Sequence, residues 1–202
     1  MHADIVASIA EGGLASAIPP GTQNSELDKQ IVAALIKGDS IMSLDNLVEP
    51  LGASPIINSC LSQERLEVRI LGQSRNVEVP GHRLLLANGN NLVIEGDLTR
   101  RTILCSLDEK VERPELREFE QNPIDLIRKD RGLYVHAVLT ILRAYIVAGR
   151  PGQSTPLGGF EPWSRLVRDA LIWLGEADPL VTMNEIRDHD PQRGVLQRVI
   201  AA

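Results

Sequence analysis

The sequence predicts a mixed α/β unit over residues 1–114, followed by an all-helical domain over residues 115–202. Three observations carry that division. Short, continuously apolar runs such as "SIMSL" (40–44) and "LLLA" (84–87) have the composition of buried parallel strands. The alternation from Leu66 to Val79 predicts a hairpin turning at residues 72–75. After Pro114 the period changes, and apolar residues recur at helical spacing.

The elements follow in order. Residues 3–10, "ADIVASIA", predict a helix closed by Gly12-Gly13, with the chain beginning inside it. A loop rich in Pro, Gly and Thr comes next. Ser25 then opens a second helix with Asp28 as its capping-box partner. Leu27, Ile31, Ala34 and Leu35 form its apolar line, and Gly38 stops it. The strand over residues 40–44 delivers Asp45 at its end. Further strands are expected at 66–71, 76–79, 84–87, 92–94 and 102–107. In the second half, Asn122-Pro123 reads as an N-cap and first-turn pair. Tyr134, Ala137, Val138, Ile141, Leu142, Tyr145 and Ala148 keep helical spacing up to Gly149. A loop (150–159) separates this helix from a second stripe of Trp163, Leu166, Val167, Ala170, Leu171 and Leu174, ended by Gly175. One or two shorter helices are expected in the tail.

Bulk properties narrow the function classes. Aromatic residues are 3% of the chain, so the core must come from Leu, Ile, Val and Ala. A formal net charge of -6 argues against a generally basic protein that coats nucleic acid, leaving only local patches such as that around Arg165 and Arg168. Cys60 and Cys105 sit in apolar runs without disulfide or metal spacing, as in a reducing compartment. No apolar run approaches the roughly 18–20 residues of a membrane helix, and the N-terminus lacks signal-peptide architecture. A cytoplasmic protein with no membrane partner is the expectation.

Three stretches could carry chemistry. "IMSLDN" (41–46) delivers Asp45 and Asn46 from a hydrophobic strand, as in ATPases that hold Mg²⁺ through water; Asp and Asn also serve simply as helix caps. "ANGNNL" (87–92) places Asn88, Asn90 and Asn91 where a neighbouring strand ends, a position from which an amide can orient a water or contact a γ-phosphate. Asn and Gly equally make ordinary turns. Arg100-Arg101 is the type of group that stabilises charge on a phosphoryl group from a neighbouring subunit, or a surface salt bridge. Other chemistries do poorly. His2, His82, His136 and His189 are far apart, and neither a zinc motif nor a G-x-S-x-G elbow occurs. Glu118 and Glu120, and the pair Arg165 and Arg168 beside Asp169, read as solvated faces; Trp163 reads as core.

Taken together, "KGDSIMSLDNLVEPLG", "LEVRILGQSRNVEVPGHRLLLANGNNLVIEGDLTRRTILCSLD" and "LGGFEPWSRLVRDALIWLGEADP" resemble the C-terminal ATPase part of phage and plasmid primase–helicase proteins. These belong to the AAA+ and superfamily 3 helicase-like group, and the resemblance spans residues 3–179. It implies an incomplete P-loop NTPase sheet with flanking helices, Mg-ATP as cofactor, DNA as partner and a homo-oligomer. By resemblance, Asp45 corresponds to the Walker B aspartate holding Mg²⁺, and Asn46 to the place of a catalytic acid. Asn90 corresponds to the sensor asparagine, with Asn88 or Asn91 as alternatives. Arg100 or Arg101 corresponds to the arginine finger.

One part of that pattern is missing. A Walker A loop, G-x-x-x-x-G-K-[ST], cradles the phosphates in such enzymes, and the chain has no Gly-Lys dipeptide. The stretch "HADIVASIAEGG" resembles the remainder of the helix after that loop. The expectation is therefore a chain that starts just past its phosphate-binding element, with the first parallel strand absent and an exposed sheet edge. Three accounts follow: a fragment of a helicase-type ATPase, a chain completed by another that supplies the loop, or a degenerate form serving as a non-catalytic oligomerisation or DNA-binding module.

Overall fold

The computed structural model describes residues 2–19, 24–52, 54–106 and 120–191. The chain forms two compact units, each discontinuous in sequence: residues 14–104 with 183–202, and residues 1–13 with 105–182.

The first unit is mixed α/β. Strands β1 (Ser16–Ile18), β2 (Ile41–Leu44) and β5 (Leu84–Ala87) form a parallel sheet in the order β1-β2-β5. All four β2 residues are buried, as expected for the central strand of a covered parallel sheet. Helix α2 (Asn24–Lys37) connects β1 to β2 and buries Leu27, Ile31, Ala34 and Leu35, the line its periodicity predicts. It closes at Gly38, φ +95°, where the Asp39 N–H reaches back to Ala34 O at 3.1 Å. Ser25 lies inside this helix rather than capping it.

Between β2 and β5 the chain builds α3 (Pro55–Ser62) and an antiparallel hairpin of β3 (Arg65–Arg69) and β4 (Asn76–Pro80). Ser54 caps α3 by accepting the Ile57 N–H, and Pro55 occupies its first turn. The hairpin alternates as predicted, with Leu66, Val68 and Val79 inward and Arg65, Glu67 and Arg69 outward. Helices α2 and α3 and the inner hairpin face pack on one core with Met42, Leu44, Ile57 and Cys60. Burial pushes the Cys60 thiol up to about 11, so this cysteine is an inert core residue.

Two expected strands do not form. Residues 92–94 contribute only one bridge, Ile94 to Leu51. Residues 102–106 are irregular, and residue 107 lies outside the described residues. The reason is local: Gly96, φ +63°, turns the chain into a 3-10 turn, Gly96–Arg100. Leu98 and Thr99 are buried there, and the Thr102 hydroxyl donates back to Leu98 O at 2.8 Å. The apolar residues anchor a turn instead of extending a ladder.

The second unit is helical. Helix α1 (His2–Ala10) packs on α4 (Pro123–Lys129) and α5 (Arg131–Val147), so it groups with the second half of the chain rather than with residues 14–104. Arg131 donates from Nε to Ile9 O (2.9 Å) and from Nη2 to Ala10 O (2.8 Å), occupying carbonyls that the end of α1 leaves open. Asn122 caps α4 as predicted, its Oδ1 accepting the Ile124 N–H at 2.9 Å. Asp130 caps α5 through the Leu133 N–H.

The stripe beginning at Trp163 folds as α6 (Glu161–Trp163), a π-helical segment (Ser164–Arg168) and α7 (Asp169–Leu174), ended at Gly175, φ +95°. The wider π turn shifts the inward face. Ser164, Arg168, Asp169 and Ala170 are buried while Trp173 and Leu174 are exposed. This overturns the solvated-face reading of Arg168. Its guanidinium grips Asp178 with two bonds (Nε–Oδ1 2.8 Å, Nη2–Oδ2 2.6 Å) and donates Nη1 to Thr155 O at 2.8 Å. Arg165 bonds Gln153. The basic patch expected around these arginines is not formed, because one of the two is consumed inside the fold. A short helix, α8 (Thr182–Asp188), follows, and its Ile186 joins the core of the α/β unit.

Candidate functional site at the strand ends

The C-terminal edge of the parallel sheet brings Asp45, Asn46 and Asn88 together. Strands β2 and β5 pair in register from Ile41↔Leu84 to Leu44↔Ala87, so Asp45 and Asn88 emerge at the same level. In open parallel sheets this edge is where ligands bind. Three bonds lock the two strand exits: Asn88 N–H to Leu44 O at 3.0 Å, Leu47 N–H to Asn88 O at 2.9 Å, and Asn46 N–H to Asn88 Oδ1 at 2.8 Å. Asn46 has φ +57°, a left-handed conformation that Asn tolerates better than most residues. The turn it makes holds Leu47 in the core and leaves Asp45 and Asn46 exposed.

Gly89 explains why the fit is so close. A Cβ there would sit 2.3 Å from Leu47 O, a separation that no side chain permits. The Asn88-Gly89 pair is thus a backbone clamp on the segment carrying Asp45. Asn90 and Asn91 follow it in an exposed turn, with Asn91 at φ +55°. The amides divide accordingly. Asn88 Oδ1 is engaged in holding Asn46, while the exposed Asn90 faces solvent.

The arginines are engaged nearby in sequence. Both Arg100 and Arg101 pair with Asp97 in their own 3-10 turn, Arg101 through Nη2 at 3.1 Å. The hydrogen bond from Arg100, and then that from Arg101, hold the Asp97 carboxyl below its ordinary range. Their exposure differs enough to separate them: the Arg100 side chain is 60% exposed and that of Arg101 16%.

Mg²⁺ usually keeps several waters and takes one or two carboxylates plus substrate phosphates. Asp45, exposed at a strand end, fits that donor set as its single protein oxygen ligand. Among the described residues no group of three or more His, Cys, Asp or Glu could hold a metal by itself. Concavities of about 370 Å³ at the hairpin turn (Arg69–Ser74) and about 280 Å³ beside α3 (Pro55, Ser59, Gln63, Glu67) lie away from this edge and include none of its residues.

No family model, no curated protein and no solved structure matches the chain. Among the described residues, no helix is long and apolar enough to cross a membrane.

Sequence reasoning overlooked four residues that shape this edge and its surroundings. Gly89 was legible only as a turn former, because its close approach to Leu47 is a tertiary fact. Asp97, four residues before Arg101, was a readable i,i+4 partner. Ser54-Pro55 was a readable helix start.

Proposed function

We propose that the edge formed by Asp45, Asn46, Asn88 and Asn90 is the nucleotide-facing edge of a helicase-type ATPase core; residues 1–202 themselves contain no Walker A pattern. The observation that carries this reading is the parallel, in-register pairing of the strand ending in Asp45 with the strand ending in Asn88. An acid and an amide placed side by side at that edge are what Mg²⁺ and a polarised water require. Within it, Asp45 holds Mg²⁺ through water. Asn88 positions Asn46, and Asn90 is the amide free to orient a water or meet a γ-phosphate, with Asn91 beside it. Arg100, the more exposed arginine, is the one able to reach a neighbouring subunit once it leaves Asp97. Mg-ATP would supply the phosphoryl group, and DNA as partner rests on the sequence resemblance.

A second reading is favoured by a different observation. Both arginines are paired with Asp97, and α5 exposes Leu133, Leu139, Ile146 and Val147. Those features suit a non-catalytic assembly module. Calorimetric titration of the chain with Mg-ATP separates the two. The ATPase reading predicts saturable binding that disappears in Asp45→Ala. Heat changes indistinguishable from dilution at millimolar ATP would leave the module reading.

A further inference from the structure

The clamp at the strand ends contains an Asn-Gly pair whose bonding leaves two nitrogens unengaged. The Asn88 side chain is exposed at the end of β5. Its Oδ1 accepts the Asn46 N–H at 2.8 Å, its own N–H donates to Leu44 O, and its carbonyl accepts the Leu47 N–H. Among the described residues, neither Asn88 Nδ2 nor the Gly89 N–H meets an acceptor. Those two nitrogens are the leaving group and the nucleophile of one reaction. As the Gly89 nitrogen bonds to Asn88 Cγ, a cyclic imide closes and negative charge gathers on Oδ1. That oxygen already faces the Asn46 N–H, and a donor fixed by the backbone in this way stabilises a developing oxyanion. The oxyanion then collapses, the Cγ–Nδ2 bond breaks, and ammonia leaves with the proton that Gly89 gave up. Water opens the imide at either carbonyl: addition at Cγ gives aspartate, and addition at the main-chain carbonyl gives isoaspartate.

Glycine is the residue that permits this closure, because a side chain on the attacking residue crowds the ring. The fold itself demands glycine here, since a Cβ would meet Leu47 O at 2.3 Å. The other asparagines of the edge lack the arrangement. Asn90 and Asn91 precede Asn91 and Leu92, which carry side chains. Asn46 precedes Leu47, whose N–H is held by Asn88 O at 2.9 Å. We propose that Asn88 is a site of spontaneous deamidation, converting through an imide with Gly89 to aspartate and isoaspartate in the folded chain. The product changes the edge. An aspartate at this position still accepts the Asn46 N–H and puts a second carboxylate level with Asp45, within the one or two that a Mg²⁺ site takes. Isoaspartate instead adds one carbon to the main chain inside the clamp. The reaction needs only water, so the inference stands apart from the nucleotide reading.

The test is incubation of the full folded chain at neutral to mildly alkaline pH, with peptide mapping by mass spectrometry and circular dichroism to follow the fold. Isoaspartate is read separately, by methylation with protein isoaspartyl methyltransferase. Asn88 should convert before Asn90, Asn91 and the other asparagines, while the circular dichroism spectrum still shows a folded chain. Both products should form, and the rate should rise with pH, because the Gly89 nitrogen must shed its proton to attack. A synthetic peptide of residues 84–92 supplies the same reaction without the fold. Asn88 left intact in the folded chain over a period that converts the peptide would overturn the proposal. Another asparagine converting first would do the same. So would aspartate formed without isoaspartate, which would mean direct hydrolysis of the side chain, or a rate indifferent to pH.

Discussion

The two units bury different chemistry. In the α/β unit the core is a continuous set of aliphatic side chains, Ile31, Leu35, Met42, Leu44 and Ile57 among them, and the surface carries the polar residues of the strand ends. In the helical unit the buried positions include Ser164, Arg168 and Asp169, while Leu133, Leu139, Val147 and Leu174 stand exposed. The α/β unit follows the rule that periodicity predicts burial at α2, β2 and the hairpin, though not at β5, whose Leu84 and Ala87 are exposed; the helical unit departs from it twice. The first departure has a cause inside the chain: the π segment rotates the stripe and turns Arg168 inward. The second is the exposed apolar surface of α5.

The largest expected effect tests the first departure. Arg168→Ala leaves the Asp178 carboxylate without its two bonds in a half-buried site, a loss of about 2–4 kcal/mol in a urea or thermal melt. The same contact has a pH signature. Arg168's hydrogen bond holds the Asp178 carboxyl below its ordinary range, against the opposing effect of burial. With the folded value below the unfolded one, about 3.9, the stabilisation is complete above that value and lost as pH falls through the lower folded value. Asp178→Asn should remove this part of the acid dependence, measured as stability between neutral and acid pH.

In the α/β unit the matching test is Gly89→Ala. The added Cβ meets Leu47 O at 2.3 Å, so the clamp must open, at a cost of about 1–3 kcal/mol. Gly13→Ala, where a Cβ meets nothing within 4 Å, is the neutral control for the melt.

How much of this was legible beforehand also differs between the units. The Asp45 strand, the hairpin, the α2 line and the Asn122 cap could be read locally, because each rests on spacing or a neighbour a few residues away. Strand β1 could not: three residues show no alternation, and only pairing with Met42–Leu44 defines it. The false strands at 92–94 and 102–107 failed for the converse reason, since an apolar run carries no record of whether an edge awaits it. At the site, the residue types Asp45, Asn46 and Asn88 were readable. The division of labour between Asn88 and Asn90 was not, because the bond from Asn46 N–H spans 42 positions. Buried Arg168 was hidden by the π segment, which leaves the helical spacing of its neighbours intact.

Smaller effects sharpen the picture of the strand-end site. Asn88→Ala removes the acceptor of the Asn46 N–H and should lower stability by about 1 kcal/mol, loosening the loop in amide exchange at Asn46 and Leu47. Asn46→Gly should be nearly neutral or stabilising by about 0.5 kcal/mol in the same melt, because glycine adopts φ +57° without strain. These two variants separate the hydrogen bond from the backbone conformation it supports.

The central claim is that the Asp45–Asn88 edge faces a nucleotide, and amide chemical shifts read it residue by residue. In a titration of the isotope-labelled chain with Mg-ATP, the account predicts saturable shifts at Asp45, Asn46 and Asn88 through Asn91, abolished in Asp45→Ala. Shifts confined to other regions, or none at millimolar Mg-ATP, would contradict it.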